Sequence, residues 1–161
     1  MHADCEQTST TVRSAVIDDA EAILACLASA FEAYRSQYTW EAYADTVLDL
    51  HSLQVRLREM SVLVALCGDQ IVGTIAFAAK GEEGHLRGMA VRPEWQGMGV
   101  ASMLLDAAVK ALHECNCRFV TLDTTAALAR AIRFYRRAGF TASGKVSDFF
   151  GMPLFEYVKH L

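Results

Sequence analysis

The sequence predicts a mixed α/β fold, one twisted central sheet of six to seven strands flanked by helices. Three observations predict it. Before residue 85, two apolar runs, residues 61–67 (SVLVALC) and 71–79, meet across the tight turn Gly68-Asp69-Gln70, which is a hairpin signal. After residue 85, strand and helix patterns alternate, which brings parallel pairing into the sheet. Between these parts lies LRGMAVRPEWQGMGVASMLLDAAVKAL, residues 86–112, where a strand enters a long amphipathic helix through a glycine-rich turn.

The 161 residues fit a single domain spanning 1–161, with enough chain to bury a core. At 53% hydrophobic and 21% charged, the chain is globular rather than disordered. Fifteen basic and 19 acidic residues give a net charge of −4, which argues against a nucleic-acid partner. The five cysteines have no framework spacing and read as reduced thiols of a cytoplasmic protein. Cys115 and Cys117 are not in C-x-x-C spacing and no histidine cluster completes a metal site. Residues 1–8 read as a loose polar tail without a signal-peptide core, and no apolar run is long enough to cross a membrane.

In order, a first strand is expected over 10–16, and Asp18 and Asp19 start a helix over 22–34 carrying Ile23, Leu27, Ala30, Phe31 and Tyr34 at helical spacing. Residues 35–38 read as a polar break. Thr39 caps a helix over 41–48, and Ser52 a short one to Arg58. The hairpin is followed by a polar loop, 80–84, and a strand over 85–91. In that strand Met89 and Val91 share a face, Leu86 falls on the other, and Arg87-Gly88 sits at the slip. A β-bulge and a plain end-of-strand irregularity fit this pattern equally. Helix 97–113, strand 119–124, helix 127–138 with Gly139 beyond its end, and strand 140–146 follow. A loop over 147–151, a break at Pro153 and a terminal strand over 154–160 close the chain; residues 154–158 are a candidate for pairing across a homodimer.

The turn before the long helix has two glycines and no acidic residue. Free N–H groups and the helix dipole make such a helix start an anion site, and glycines let a phosphate approach the backbone. A dinucleotide fold is one candidate, because Gly97-Met98-Gly99-Val100-Ala101-Ser102 is near G-x-G-x-x-G/A and Asp123 ends a strand 24 residues past Gly99. Against it, residues 92–96 separate strand from glycine. A Walker loop is excluded because no Gly-Lys-Ser/Thr follows.

A second reading covers more of the chain. Gln96, Gly99 and Ala101 fit Q/R-x-x-G-x-G/A, and Ala131, Tyr135, Gly139 and Phe140 fit A-x-x-x-Y-x-x-x-G-F. In order and spacing these motifs resemble the GNAT superfamily of acyl-CoA-dependent N-acetyltransferases, over roughly residues 61–146. The resemblance implies acetyl-CoA as co-substrate, no metal, and transfer of the acetyl group to a primary amine of a small molecule or peptide by direct attack in a ternary complex. It implies coenzyme A pyrophosphate on Gln96, Gly97, Met98, Gly99, Val100, Ala101 and Ser102. The pantetheine arm would run along the backbone of Met89, Ala90 and Val91, with the Met89 N–H polarising the thioester carbonyl. Tyr135 is implied as general acid at the leaving sulfur, with Phe134 off its stripe as a control. Where the family often carries Asn, this chain has Leu128.

Glu82, Glu83 and His85 lie near the slipped strand, and none stands out as base. Glu32, Tyr34, Tyr38, Trp40, Asp148 and Phe149 form an acidic and aromatic candidate site for a cationic amine. A different acyl donor or an alcohol acceptor is the within-class alternative. A degenerate acyl-CoA-binding sensor without turnover is the other.

Overall fold

The computed structural model describes residues 9–161, so the expected tail over 1–8 lies outside the described residues. One seven-stranded sheet runs in the order β1-β2-β3-β4-β5-β7-β6. The strands are β1 (Thr10–Ser14), β2 (Ser61–Cys67), β3 (Gln70–Lys80), β4 (Glu83–Val91), β5 (Phe119–Thr124), β6 (Thr141–Phe149) and β7 (Met152–His160). Every pairing is antiparallel except β4 with β5. The helices are α1 (Ala20–Phe31), α2 (Trp40–Val47), α3 (Leu50–Glu59), α4 (Val100–Glu114) and α5 (Ala129–Arg137).

Two apolar cores sandwich the sheet. On one face, Val100, Leu104, Ala108 and Leu112 of α4 meet Ile75, Leu86, Val120 and Leu122. Those α4 residues are spaced i, i+4, i+8, i+12, so one stripe of the helix is buried along its whole length. Gly73 and Gly84 let the helix come close. A Cβ at either would sit 2.9 Å and 2.7 Å from side chains of Leu104 and Leu112 respectively. On the other face, Ile23, Leu27 and Phe31 of α1 and Leu53 of α3 pack over Val62, Val64 and Ala90.

The slip in β4 is a bulge. Arg87 pairs with Ala76 and Ala90 with Thr74, so Gly88 and Met89 lie opposite the single residue Ile75. Leu86 and Val91, five positions apart, consequently face the same core. Gly88 has φ +64°, a backbone conformation that favours glycine. Pairing of β4 with β5 covers only Glu83 to Leu86. Beyond Leu86 the two strands separate, and the β5-facing edge of β4 carries no neighbouring strand.

Several boundaries differ from expectation. The helix expected over 22–34 is α1, which ends at Phe31 and passes into a 3-10 turn, Glu32–Gln37, through the expected break. Thr39 caps α2, accepting from the Ala42 N–H, but α3 is capped by Asp49, which accepts from the Ser52 N–H. α4 starts at Val100, because Gly97 (φ +78°) and Gly99 (φ +85°) are left-handed and cannot belong to a right-handed helix. The loop expected over 80–84 shrinks to residues 81–82, and the one over 147–151 to residues 150–151. Pro153 does not break the chain. β7 meets β5 only from Phe155, so Pro153 sits where one strand edge is free, as proline requires. Pairing of residues 154–158 across a dimer does not fit, since from Phe155 onward β7 lies between β5 and β6 with both edges taken. Cys26, Cys115 and Cys117 are free thiols, whereas Cys67 is disulfide-bonded, contrary to five reduced cysteines. Among the described residues no helix is long and apolar enough to cross a membrane.

Candidate active site

Where β4 and β5 part, a cleft of about 990 Å³ opens. Its walls come from β4, the turn before α4, the end of β5, α5, and the α1–α3 layer. Most residues expected to serve one site line it: Met89, Ala90, Val91, Gln96, Gly97, Gly99, Val100, Ala101, Ser102 and Tyr135. Met98 does not. Its side chain points outward and is 63% exposed.

The glycine turn is held by its first residue. The Gln96 side chain donates to the Val91 carbonyl (3.1 Å) and accepts from Arg130 of α5 (3.0 Å). The turn is thereby fixed to the end of β4 and to α5 at once. A Cβ at Gly99 would meet nothing within 4 Å, so the approach to the first N–H groups of α4 is open. α4 has no acidic residue in its first turn and no side-chain cap, which leaves those N–H groups for an anion.

Tyr135 is 7% exposed, set between Phe134 (ring centroids 5.3 Å) and Phe140 (5.8 Å). Burial raises its phenol well above the ordinary value. Its hydroxyl makes no hydrogen bond to a described residue, and no fully buried side-chain N or O lacks a partner. The oxygen therefore opens on the cleft. Phe134, read as off the apolar stripe of its helix, packs against the core and lines the cleft beside it, as does Leu128.

Below the bulge lies a polar chain that sequence reasoning left unordered. The Thr121 hydroxyl donates to Glu83 Oε1 (2.8 Å), and His85 Nδ1 stands 2.9 Å from Thr121 Oγ1. A hydroxyl has one proton, so with that proton given to Glu83, Thr121 accepts from Nδ1–H, and Nε2 is the ring nitrogen left over. Nε2 is 3.9 Å from Asp123 Oδ2, beyond a hydrogen bond but within reach of charge. Burial raises the Asp123 carboxyl, against the His85 side chain, which lowers it. His85 and Asp123 both line the cleft. The strand register was the missing signal: His85 pairs with Thr121 across the parallel ladder, two positions before Asp123.

Of the acceptor candidates, Tyr34, Tyr38 and Phe149 line the cleft. The Tyr38 hydroxyl bonds Thr125 Oγ1 (3.0 Å), joining the 3-10 turn to the end of β5. Glu32, Trp40 and Asp148 do not line it. Glu32 faces Arg35 (3.7 Å) and the Tyr43 hydroxyl, Trp40 is 81% exposed, and Asp148 accepts from the Gly151 N–H. The acids of the cleft are Asp45 and Asp123 instead, and its bases include Arg56 and Arg87. Cys26 is buried and its thiol is pushed up to about 11 by burial, so it is no nucleophile. Among the described residues no three His, Cys, Asp or Glu side chains gather to hold a metal.

A mixed sheet splayed at its centre above a glycine-opened helix is the architecture of N-acetyltransferases. The PaiA N-acetyltransferase of Thermoplasma acidophilum, solved in complex with coenzyme A, has the same fold: TM-score 0.79 at 20% identity, over 95% of this chain and 99% of that one. An aminoglycoside N(6')-acetyltransferase type 1 of Stenotrophomonas maltophilia is 35% identical over 71 residues, 44% of this chain and 46% of that protein. The N-alpha-acetyltransferase MAK3 of Arabidopsis thaliana is 31% identical over 74 residues, 45% of this chain and 39% of that protein. The matches thus span less than half the length of either curated relative. The profile of the acetyltransferase (GNAT) family matches residues 24–140, well over half of the chain. The chain belongs to that family.

Proposed function

We propose that the chain transfers an acetyl group from acetyl-CoA to a primary amine, by direct attack with both substrates bound. One observation carries the reading: the unpaired edge of β4, the anion-ready turn of α4 and the Tyr135 hydroxyl all face a single cleft. Backbone N–H groups of residues 97–102 take the pyrophosphate, with Gln96 holding the turn in shape. The free edge of β4 at Met89, Ala90 and Val91 takes the pantetheine arm as an added strand, and the Met89 N–H at the bulge serves the thioester oxygen.

The amine nitrogen bonds to the thioester carbon and the C–S bond breaks, its electron pair going to sulfur. Tyr135, kept protonated by burial, supplies the proton at sulfur. The surplus proton of the amine leaves towards His85 Nε2. His85 lies four residues before Met89, about 13 Å along a strand, so the proton travels through water. No covalent acyl-enzyme is needed, in keeping with the inert Cys26.

The test is acetyl-CoA turnover against an amine panel with wild type and Tyr135→Phe. The phenylalanine variant keeps acetyl-CoA binding and loses about 10²-fold or more in kcat. An unchanged kcat contradicts the role of Tyr135. Binding of acetyl-CoA with no turnover of any amine favours the sensor reading.

A further inference from the structure

α3 lays Leu53, Arg56, Leu57 and Met60 along one stripe. The stripe packs on the core beneath α1, yet its centre is a guanidinium. Arg56 is 8% exposed and is the only buried basic residue among the described residues. Such a side chain is rarely buried unless paired. Among the described residues, no hydrogen bond or ion pair reaches its guanidinium. Asp45, the acid whose charge acts on Arg56, is paired with Arg87 at 2.8 Å. Because no fully buried side-chain nitrogen lacks a partner, the free Arg56 nitrogens open on the cleft they line. Burial pushes the guanidinium down to about 10, which leaves it charged at neutral pH.

Its position is specific. A Cβ at Gly88 would come within 2.6 Å of Arg56 Nη1, so the guanidinium occupies the space left by the glycine of the bulge. The bulge is where the reacting carbonyl lies in the acetyl-transfer reading. A desolvated planar cation beside the reacting centre is suited to two parallel bonds with a carboxylate.

We propose that Arg56 binds a carboxylate on the acceptor, so that the acceptor class is a small amino acid whose amine and carboxylate lie within a few bonds. This rests on the acetyl-transfer reading above. The nitrogen attacks at the bulge while the acid group is held on Arg56, with Arg87 flanking it on β4. Such an acceptor replaces the purely cationic amine that an acidic and aromatic pocket suggested.

The experiment compares matched acceptors at saturating acetyl-CoA: the common amino acids, their carboxamides, and the corresponding decarboxylated amines, read by thiol release. Wild type prefers at least one amino acid over its carboxamide and its amine by about tenfold or more in kcat/KM. Arg56→Gln removes that preference while the acetyl-CoA Kd, measured by calorimetry, stays within about twofold. Arg56→Lys keeps the charge without the fork and retains part of the preference. If Arg56→Gln does not fold, the wild-type comparison and the lysine variant decide. Carboxamides or plain amines used as well as the acids, or no amino acid acetylated, overturn the proposal. So does loss of acetyl-CoA binding in Arg56→Gln with the preference intact, which would put a phosphate on Arg56. Absence of acetyl-CoA binding to wild type sinks the underlying reading; binding with carboxylates disfavoured sinks this inference alone.

Discussion

The two ends of the cleft are built from different material. At the α4 end the wall is main chain: the turn of residues 96–99, the first N–H groups of α4 and the free edge of β4. At the β5 end it is side chain: His85, Asp123, Tyr38 and Arg56, brought together from β4, β5, a 3-10 turn and α3. A backbone-built site depends on conformation, so glycines and a bulge govern it and most side chains there are replaceable. A side-chain-built site depends on which residues long-range packing collects, and single substitutions alter what it accepts.

Substitutions at the two ends should separate them. The largest effect is expected from Tyr135→Phe, about 10²-fold or more in kcat, because its hydroxyl is the proposed proton donor to the leaving sulfur. Next is Gly99→Glu. It puts a Cβ on a residue at φ +85° and places negative charge at the helix N-terminus. Together these cost about 2 kcal/mol or more, so acetyl-CoA affinity should fall at least roughly tenfold by calorimetry. Gln96→Ala removes the hydrogen bonds to Val91 and Arg130 that shape the turn. About 1 kcal/mol, or roughly fivefold in the KM for acetyl-CoA, is expected. Met98→Ala, in the same turn but with its side chain in solvent, should change that KM by less than about twofold. An effect of Met98→Ala equal to that of Gln96→Ala would break the comparison.

The smallest effects are in pH and stability. Burial raises the folded Asp123 carboxyl above its unfolded value, so the folded state holds a proton that the unfolded chain has lost. Stability therefore falls as pH rises from about 3.9 through the raised value, and the cost persists at neutral pH. Asp123→Asn should raise the thermal midpoint at pH 7 more than at pH 3.5. Asp19 is the opposite case. Its hydrogen bonds with Arg13 hold its carboxyl below the ordinary value, so its contribution is present above about pH 3.9 and is lost as pH falls further. Asp19→Asn should lower the midpoint at pH 7, with the difference fading in acid.

The backbone end was legible in the sequence because conformation leaves local marks. Gly97 and Gly99 before an apolar stripe mark an open helix start, and the phase slip between Leu86 and Val91 marks an irregularity that the strand register resolves as a bulge. The sheet was legible for the same reason, since a buried run such as residues 61–67 is a strand on local grounds. The side-chain end was not. Glu32 and Asp148 had suitable chemistry but face away, because a 3-10 turn and an edge hairpin orient them outward. His85 became meaningful only once the parallel register set it beside Thr121. Arg56 did leave a mark, a charge in the middle of an apolar helical stripe, but only packing against the bulge gives that mark a meaning.

In the proposed function, main chain rather than side chain holds the acyl-CoA. Its most direct test is titration of acetyl-CoA into ¹⁵N-labelled protein while amide signals are followed. The account predicts that the largest shifts fall on the amides of residues 97–102 and of Met89, Ala90 and Val91. Saturable binding that leaves those amides unmoved, with shifts confined to the β1–β2 edge or the outer face of α4, would contradict it.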